Sequence, residues 1–221
     1  MEMGIFYFPC NFVYWRKLPN HREIKDELMP IIDKSNIFQP TTSGFGPEYF
    51  KDHPLIKSVI FDSIRELVNI LNERDGFEKT EIEDSIVTRW WYAKYKDEGG
   101  GCACHNHNPD SMQSHQFIND KVYRSTFTVV YIINDTNTKN VTEFLQPSQL
   151  GINSSKSAQT LFKTCDVEDI SEGTVLVFPS NLYHQVPHTK TSGRVIFSFD
   201  VSSIFKHYPK MGVVDYTKVK R

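Results

Sequence analysis

Apolar positions follow one rhythm before residue 82 and another after it. Asn20, with Glu23 three positions on, has the form of a helix-opening capping box, and Ile24, Leu28, Ile31 and Ile32 then give a short apolar face interrupted by Pro30. A stretch rich in Pro, Thr, Ser and Gly follows at 39–47. Pro54 stands at the start of the clearest helix, in which Val59, Ile60, Ile64, Leu67, Val68 and Leu71 recur at three- and four-residue steps. That helix has one apolar side and needs a sheet or another helix to cover it. The first eighty or so residues thus read mainly as helix and loop.

From Ile82 onward the texture is short β-branched and aromatic runs separated by turn residues. Strands are expected at 86–95, 125–133, 142–145, 160–163, 174–178 and 194–201. Many short strands in one block predict a sandwich or barrel, and the lack of a helical pattern between them argues against a parallel βαβ sheet. The fold class is α+β. A mainly helical part at 1–81 precedes a β core at 82–205 and a basic tail at 206–221, in which Lys206, Lys210, Lys218, Lys220 and Arg221 face only Asp215. The tail reads as a solvated end.

A chain of 221 residues is long enough for one well-buried core, so a single domain is expected. With 39% hydrophobic and 24% charged residues and a net charge of −2, the composition is that of a soluble globular protein with no pull toward nucleic acid. No apolar run approaches the ~20 residues needed to span a bilayer. The apolar start has Glu2 ahead of it, where a secretory signal would carry positive charge, so the expected location is cytoplasmic. Cys10, Cys102, Cys104 and Cys165 are accordingly expected as free thiols. A Cys/His zinc site in the run CACHNH is the alternative, although zinc pairs have wider spacing.

The candidate chemistry lies in CACHNHNPD and in GTVLVFPSNLYHQVPHTKTSGRVIFSFD. His105 and His107 are two apart, so in extended backbone they address one metal from one side. His184, just beyond a buried apolar strand and the turn Pro179-Ser180-Asn181, is the candidate third ligand. Imidazole suits iron, zinc, copper and nickel. Arg194 follows ten positions after His184 and opens a strand whose alternation sends Arg194, Ile196 and Ser198 to one face. An inward guanidinium needs an anion. That anion is either a bound carboxylate, which its planar fork fits, or an internal Asp or Glu.

On these residues the segment from Trp90 to Val201 resembles the iron(II)- and 2-oxoglutarate-dependent oxygenases, especially their prolyl-hydroxylase-like branch and related bacterial and phage oxygenases. That branch has a tyrosine, a glycine-rich turn and His-x-Asp, and here Tyr95, Gly99-Gly100-Gly101 and His105-Asn106-His107 follow the same order. Arg124 and TFTVVYIIN resemble its Thr-rich strand, Glu143 and Phe144 fall where its Gly-Gly-x-Thr-x-Phe strand would be, and EGTVLVFPSNLYHQVPH with Arg194 looks like the distal histidine strand and cosubstrate arginine. The resemblance implies a double-stranded β-helix, a jelly-roll or cupin-like barrel with the N-terminal helices packed on the sheet. It also implies Fe(II), 2-oxoglutarate as cosubstrate and O2. Arg194, Tyr95, Tyr131 and Ser198 would bind the cosubstrate, and the enzyme would hydroxylate a small-molecule or peptide substrate. The loop at 108–121, with Met112, His115 and Phe117, would be a lid or a plain loop.

His107 stands where the family pattern has aspartate, so either three histidines hold the metal or a nearby carboxylate such as Asp110 completes the set. The same residues also fit a cupin: Gly99 with His105-x-His107, then Gly173, Pro179 and His184. A cupin dioxygenase needs no 2-oxo acid. A jelly roll that binds sugar or protein without catalysis is the third class.

Overall fold

Every residue of the run Phe127 to Ile133 is buried, and a strand apolar on both sides must be covered on both sides. A computed structural model describes residues 3–8, 11–34, 53–75, 78–95, 100–107, 115–118, 121–124, 126–135, 142–146, 159–189 and 193–209. In chain order the elements are β1 (Met3–Phe8), β2 (Asn11–Lys17), α1 (His21–Lys34), α2 (Pro54–Asp75), β3 (Glu78–Lys94), β4 (Gly100–His105), β5 (His115–Ile118) and β6 (Lys121–Arg124). There follow β7 (Phe127–Asn134), β8 (Glu143–Gln146), β9 (Gln159–Lys163), β10 (Thr174–Pro179), β11 (Tyr183–Thr189) and β12 (Val195–Pro209).

A six-stranded sheet runs β1-β2-β10-β7-β12-β3, and a four-stranded sheet runs β4-β11-β8-β9. All recorded pairings are antiparallel. Parity divides the large sheet between two cores. Val129, Tyr131, Val175, Val177, Phe197 and Phe199 pack with Ile24, Leu28, Ile64 and Leu67 of the helices. Val130, Ile132, Leu176, Phe178 and Ile196 pack with Phe144, Phe162 and Val186 of the small sheet. This is the expected double-stranded β-helix arrangement, with two helices on the outer face of the large sheet.

The N-terminal reading needs correction. Residues 3–17, taken as helix or loop, form a hairpin that extends the large sheet, with Trp15 opposite both Gly4 and Leu176. Val13 and Trp15 face the small sheet while Tyr14 faces the helices, the alternation of a strand buried on both sides. Gly4 is needed there, because a Cβ would lie 2.2 Å from the Trp15 indole. Helix α1 also runs through Pro30 to Lys34. Pro30 removes one backbone donor, but Leu28 and Ile32, both fully buried, hold the turns on either side against the sheet. At the other end β12 continues to Pro209, so the first four residues of the expected tail are strand. Residues 210–221 lie outside the described residues. Among those described, no helix is long and apolar enough to cross a membrane.

A polar latch fastens α1 to the sheet. Glu172 accepts from Lys25 Nζ at 2.6 Å, from the Asp135 backbone N–H at 3.0 Å and from His21 Nε2 at 3.1 Å. The other His21 nitrogen meets the Tyr131 hydroxyl at 2.6 Å. Gly173 adjoins this group at φ +84, with the His21 ring 3.0 Å from where a Cβ would stand. Burial alone would raise the Glu172 carboxyl, but Lys25, the Asp135 N–H and His21 outweigh it and bring it down to about 2 from 4.5. A depressed carboxyl stabilises the fold above the unfolded value and loses that contribution as pH falls from 4.5 toward about 2. Glu172→Gln is expected to cost about 1–2 kcal/mol at neutral pH, discounted for partial solvent exposure. Denaturant melts should show the difference from wild type vanishing in this acid window, and a constant difference would contradict the latch.

Candidate metal centre

Antiparallel pairing of β4 with β11 sets His105 directly opposite His184. Cross-strand partners point to the same face, and their rings lie 4.3 Å apart between centroids. His107 follows two residues beyond, where its backbone N–H bonds the Ser180 carbonyl at 2.8 Å and ties this segment to the turn after β10. Its Nε2 comes to 3.2 Å from that of His105. The candidate ligand atoms of His105, His107 and His184 all lie within 4.8 Å of one another.

The opposite ring nitrogens decide the tautomers. His105 Nδ1 donates to the Ala103 carbonyl at 2.7 Å, and His184 Nδ1 donates to the Leu182 carbonyl at 3.1 Å. His107 Nδ1 meets the Asp200 carboxylate at 2.5 Å. A carbonyl only accepts, so the proton sits on Nδ1 and the lone pair on Nε2. Three lone pairs therefore converge, an arrangement that a divalent cation satisfies and that water-filled or apolar packing does not require. Burial, then the neighbouring His107, lowers the His105 imidazole below its ordinary value. Burial, then His105 and His107, hold His184 well below it. Both rings stay neutral and free to bind metal.

A cavity of about 490 Å³, including the solvent at its mouth, opens beside the three histidines. Trp91, Tyr95, Thr142, Val186, Ile196 and Ser198 are among its walls. Burial pushes the Tyr95 phenol up to about 12, so it is a hydrogen-bond donor at neutral pH. Arg194 is 2% exposed and touches the cavity through two wall residues. Its Nη2 donates to Thr142 Oγ1 at 3.1 Å, and its guanidinium lies 5.7 Å from the centre of the Tyr95 ring. Asp135 Oδ2 stands 4.0 Å from its Nε, so an internal acid is near the arginine. Glu143 binds Gln185 and Lys163, while Phe144 packs against the His184 ring.

Of the residues expected at the site, His105, His107, His184, Tyr95 and Ser198 line the cavity. Arg194 stands just behind it. Tyr131 does not belong there. It pairs with Phe197, not with the Ser198 face, and its hydroxyl is engaged by His21 on the helix side. Asp110 and Met112 lie outside the described residues; β5 and β6, whose backbones form a hairpin, occupy part of the expected loop. Cys102, Cys104 and Cys165 are free thiols. The residue missed is Asp200, which takes Arg89 on Oδ2 at 2.6 Å and His107 on Oδ1. Following the Arg194, Ile196, Ser198 alternation one step further would have placed it on the same inward face.

No protein-family profile and no curated protein sequence matches the chain. Solved structures of 2OG-Fe(II) oxygenases, prolyl hydroxylases among them, match it over most of its length. The viral collagen prolyl hydroxylase vCPH of Paramecium Bursaria Chlorella virus-1 is 14% identical, with 86% of this chain and 90% of that chain covered and a TM-score of 0.47. For the prolyl hydroxylase of Trichoplax adhaerens, determined with a hypoxia inducible factor peptide, the identity is 14%, the coverages 86% and 83%, and the TM-score 0.45. The non-heme monooxygenase ThoJ in its nickel complex gives 14%, 94% and 76%, and 0.46.

Depressed imidazoles have a stability signature. Between their folded values and the ordinary 6.5, the unfolded chain binds protons that folded His105 and His184 do not. Stability of the metal-free protein is therefore expected to fall as pH drops below 6.5, by up to about 1.4 kcal/mol per pH unit for each ring. His184→Ala should flatten that slope. Urea melts between pH 7.5 and pH 5 measure it, and an unchanged slope would contradict neutral burial.

Proposed function

We propose that this protein is a non-haem iron(II) oxygenase using 2-oxoglutarate, with His105, His107 and His184 as the metal ligands. The observation that carries the reading is the convergence of the three imidazoles, each with a carbonyl or carboxylate oxygen to accept from its Nδ1, which leaves Nε2 for a metal. When bound, iron and 2-oxoglutarate supply the oxidising chemistry, coupling decarboxylation of the 2-oxo acid to succinate with hydroxylation of the substrate. The chain's own share is binding, orientation and exclusion of water. Arg194 offers the positive charge for the distal carboxylate, held behind Tyr95 and Thr142, and Ser198 and the Tyr95 hydroxyl are donors on the same wall. Val186, Ile196 and Val130 make the rest of that wall apolar, which strengthens each polar contact made inside it. The substrate is a small molecule or peptide, of a kind that the wall residues do not specify.

A second reading, a cupin-type three-histidine dioxygenase without 2-oxoglutarate, is favoured by one observation. Asp135 lies 4.0 Å from Arg194 and would serve as its internal counter-ion. Anaerobic addition of iron(II) and 2-oxoglutarate separates the two. The oxygenase reading predicts a visible charge-transfer band, abolished in His184→Ala and, in Arg194→Ala, requiring about tenfold or more cosubstrate, since a buried charge partner is removed. Metal binding with no spectral response to 2-oxoglutarate favours the cupin. No metal binding would favour a non-catalytic module.

A further inference from the structure

Asp200 is 1% exposed, and strand pairing asks nothing of its side chain. A carboxylate taken out of water costs several kcal/mol unless its oxygens are fully engaged. Here they are divided between two cations or donors. Oδ2 accepts from Arg89 Nε at 2.7 Å and Nη2 at 2.6 Å. Oδ1 faces His107 Nδ1 at 2.5 Å and Thr128 Oγ1 at 3.3 Å.

The geometry points to Asp200 as the positioning residue of the metal site: it holds the His107 ring in place and in the Nδ1–H tautomer, with Nε2 turned to the metal. This rests on the three-histidine metal reading. An asymmetry among the three ligands carries it: His105 and His184 donate to backbone carbonyls, whereas His107 donates to a carboxylate. Hydrogen bonding to a carboxylate fixes the ring and makes its far nitrogen a stronger donor. Arg89 takes Oδ2 and leaves Oδ1 to His107, so the ring faces the carboxylate and not the guanidinium. Arg89 further lies 5.0 Å over Trp91, whose ring is 5.0 Å from that of His107, so one packed unit runs from the surface to the ligand.

Cobalt(II) titration of the wild type and of Asp200→Asn, read by calorimetry and by the visible cobalt bands, tests the assignment. Asp200→Asn should bind about 10–100-fold more weakly with shifted bands. The tautomer of His107, read by nitrogen-15 NMR on the metal-free wild type, needs no variant and should be Nδ1–H. If the wild type fails to bind cobalt, the metal reading itself falls. If it binds but Asp200→Asn matches it within about twofold and with the same bands, or if His107 carries its proton on Nε2, the inference about Asp200 falls alone.

Discussion

Three imidazole lone pairs facing one another across a few ångströms are the constraint to which the architecture answers. Left without a cation they repel, and each must be held in place by what its ring donates to. Two of those acceptors are backbone carbonyls of the small-sheet side, Ala103 within β4 and Leu182 one residue before β11, and the third is a carboxylate on β12 of the large sheet. The site therefore spans both layers, and its geometry depends on how firmly they are set against each other.

That firmness comes from the double burial of the large sheet. Its central strands β10, β7 and β12 carry apolar side chains on both faces, so neither face can shift without opening a core. The helices close one side, fastened by Glu172 and His21, and the small sheet closes the other through Phe144, Phe162 and Val186. Arg89, Asp200, Thr128 and His107 add a polar tie that crosses between layers. A fully satisfied buried network of this kind specifies one arrangement better than apolar contact does.

Legibility in the sequence followed the physics of each element. Helix α2 declares itself because Pro54 opens it and its apolar face repeats locally. β7, β10 and β12 declare themselves as continuous apolar runs. β1 and β2 do not, because β2 depends on pairing with β10, more than 150 positions away, and β1 on the edge that β2 then offers. β4 and β11 carry His105 and His184 and lack a continuous apolar run, with paired glycines opening β4 and Pro187 within β11, so composition hides them. The three histidines and the inward face of Arg194 and Ser198 were readable from spacing and alternation. Tyr131 was misplaced for want of the β7 register, which puts it opposite Phe197. Asp200 was within reach of the same alternation, but an aspartate ending an apolar strand reads locally as a strand terminus.

In the proposed site three imidazoles, those of His105, His107 and His184, hold the metal. X-ray absorption spectroscopy on the iron(II)-loaded protein tests it most directly, because imidazole rings leave a multiple-scattering pattern that carboxylates do not. A three-histidine site gives a pattern fitted by three imidazoles in the wild type and by two in His107→Ala. A wild-type pattern of two imidazoles, unchanged in His107→Ala, would contradict it.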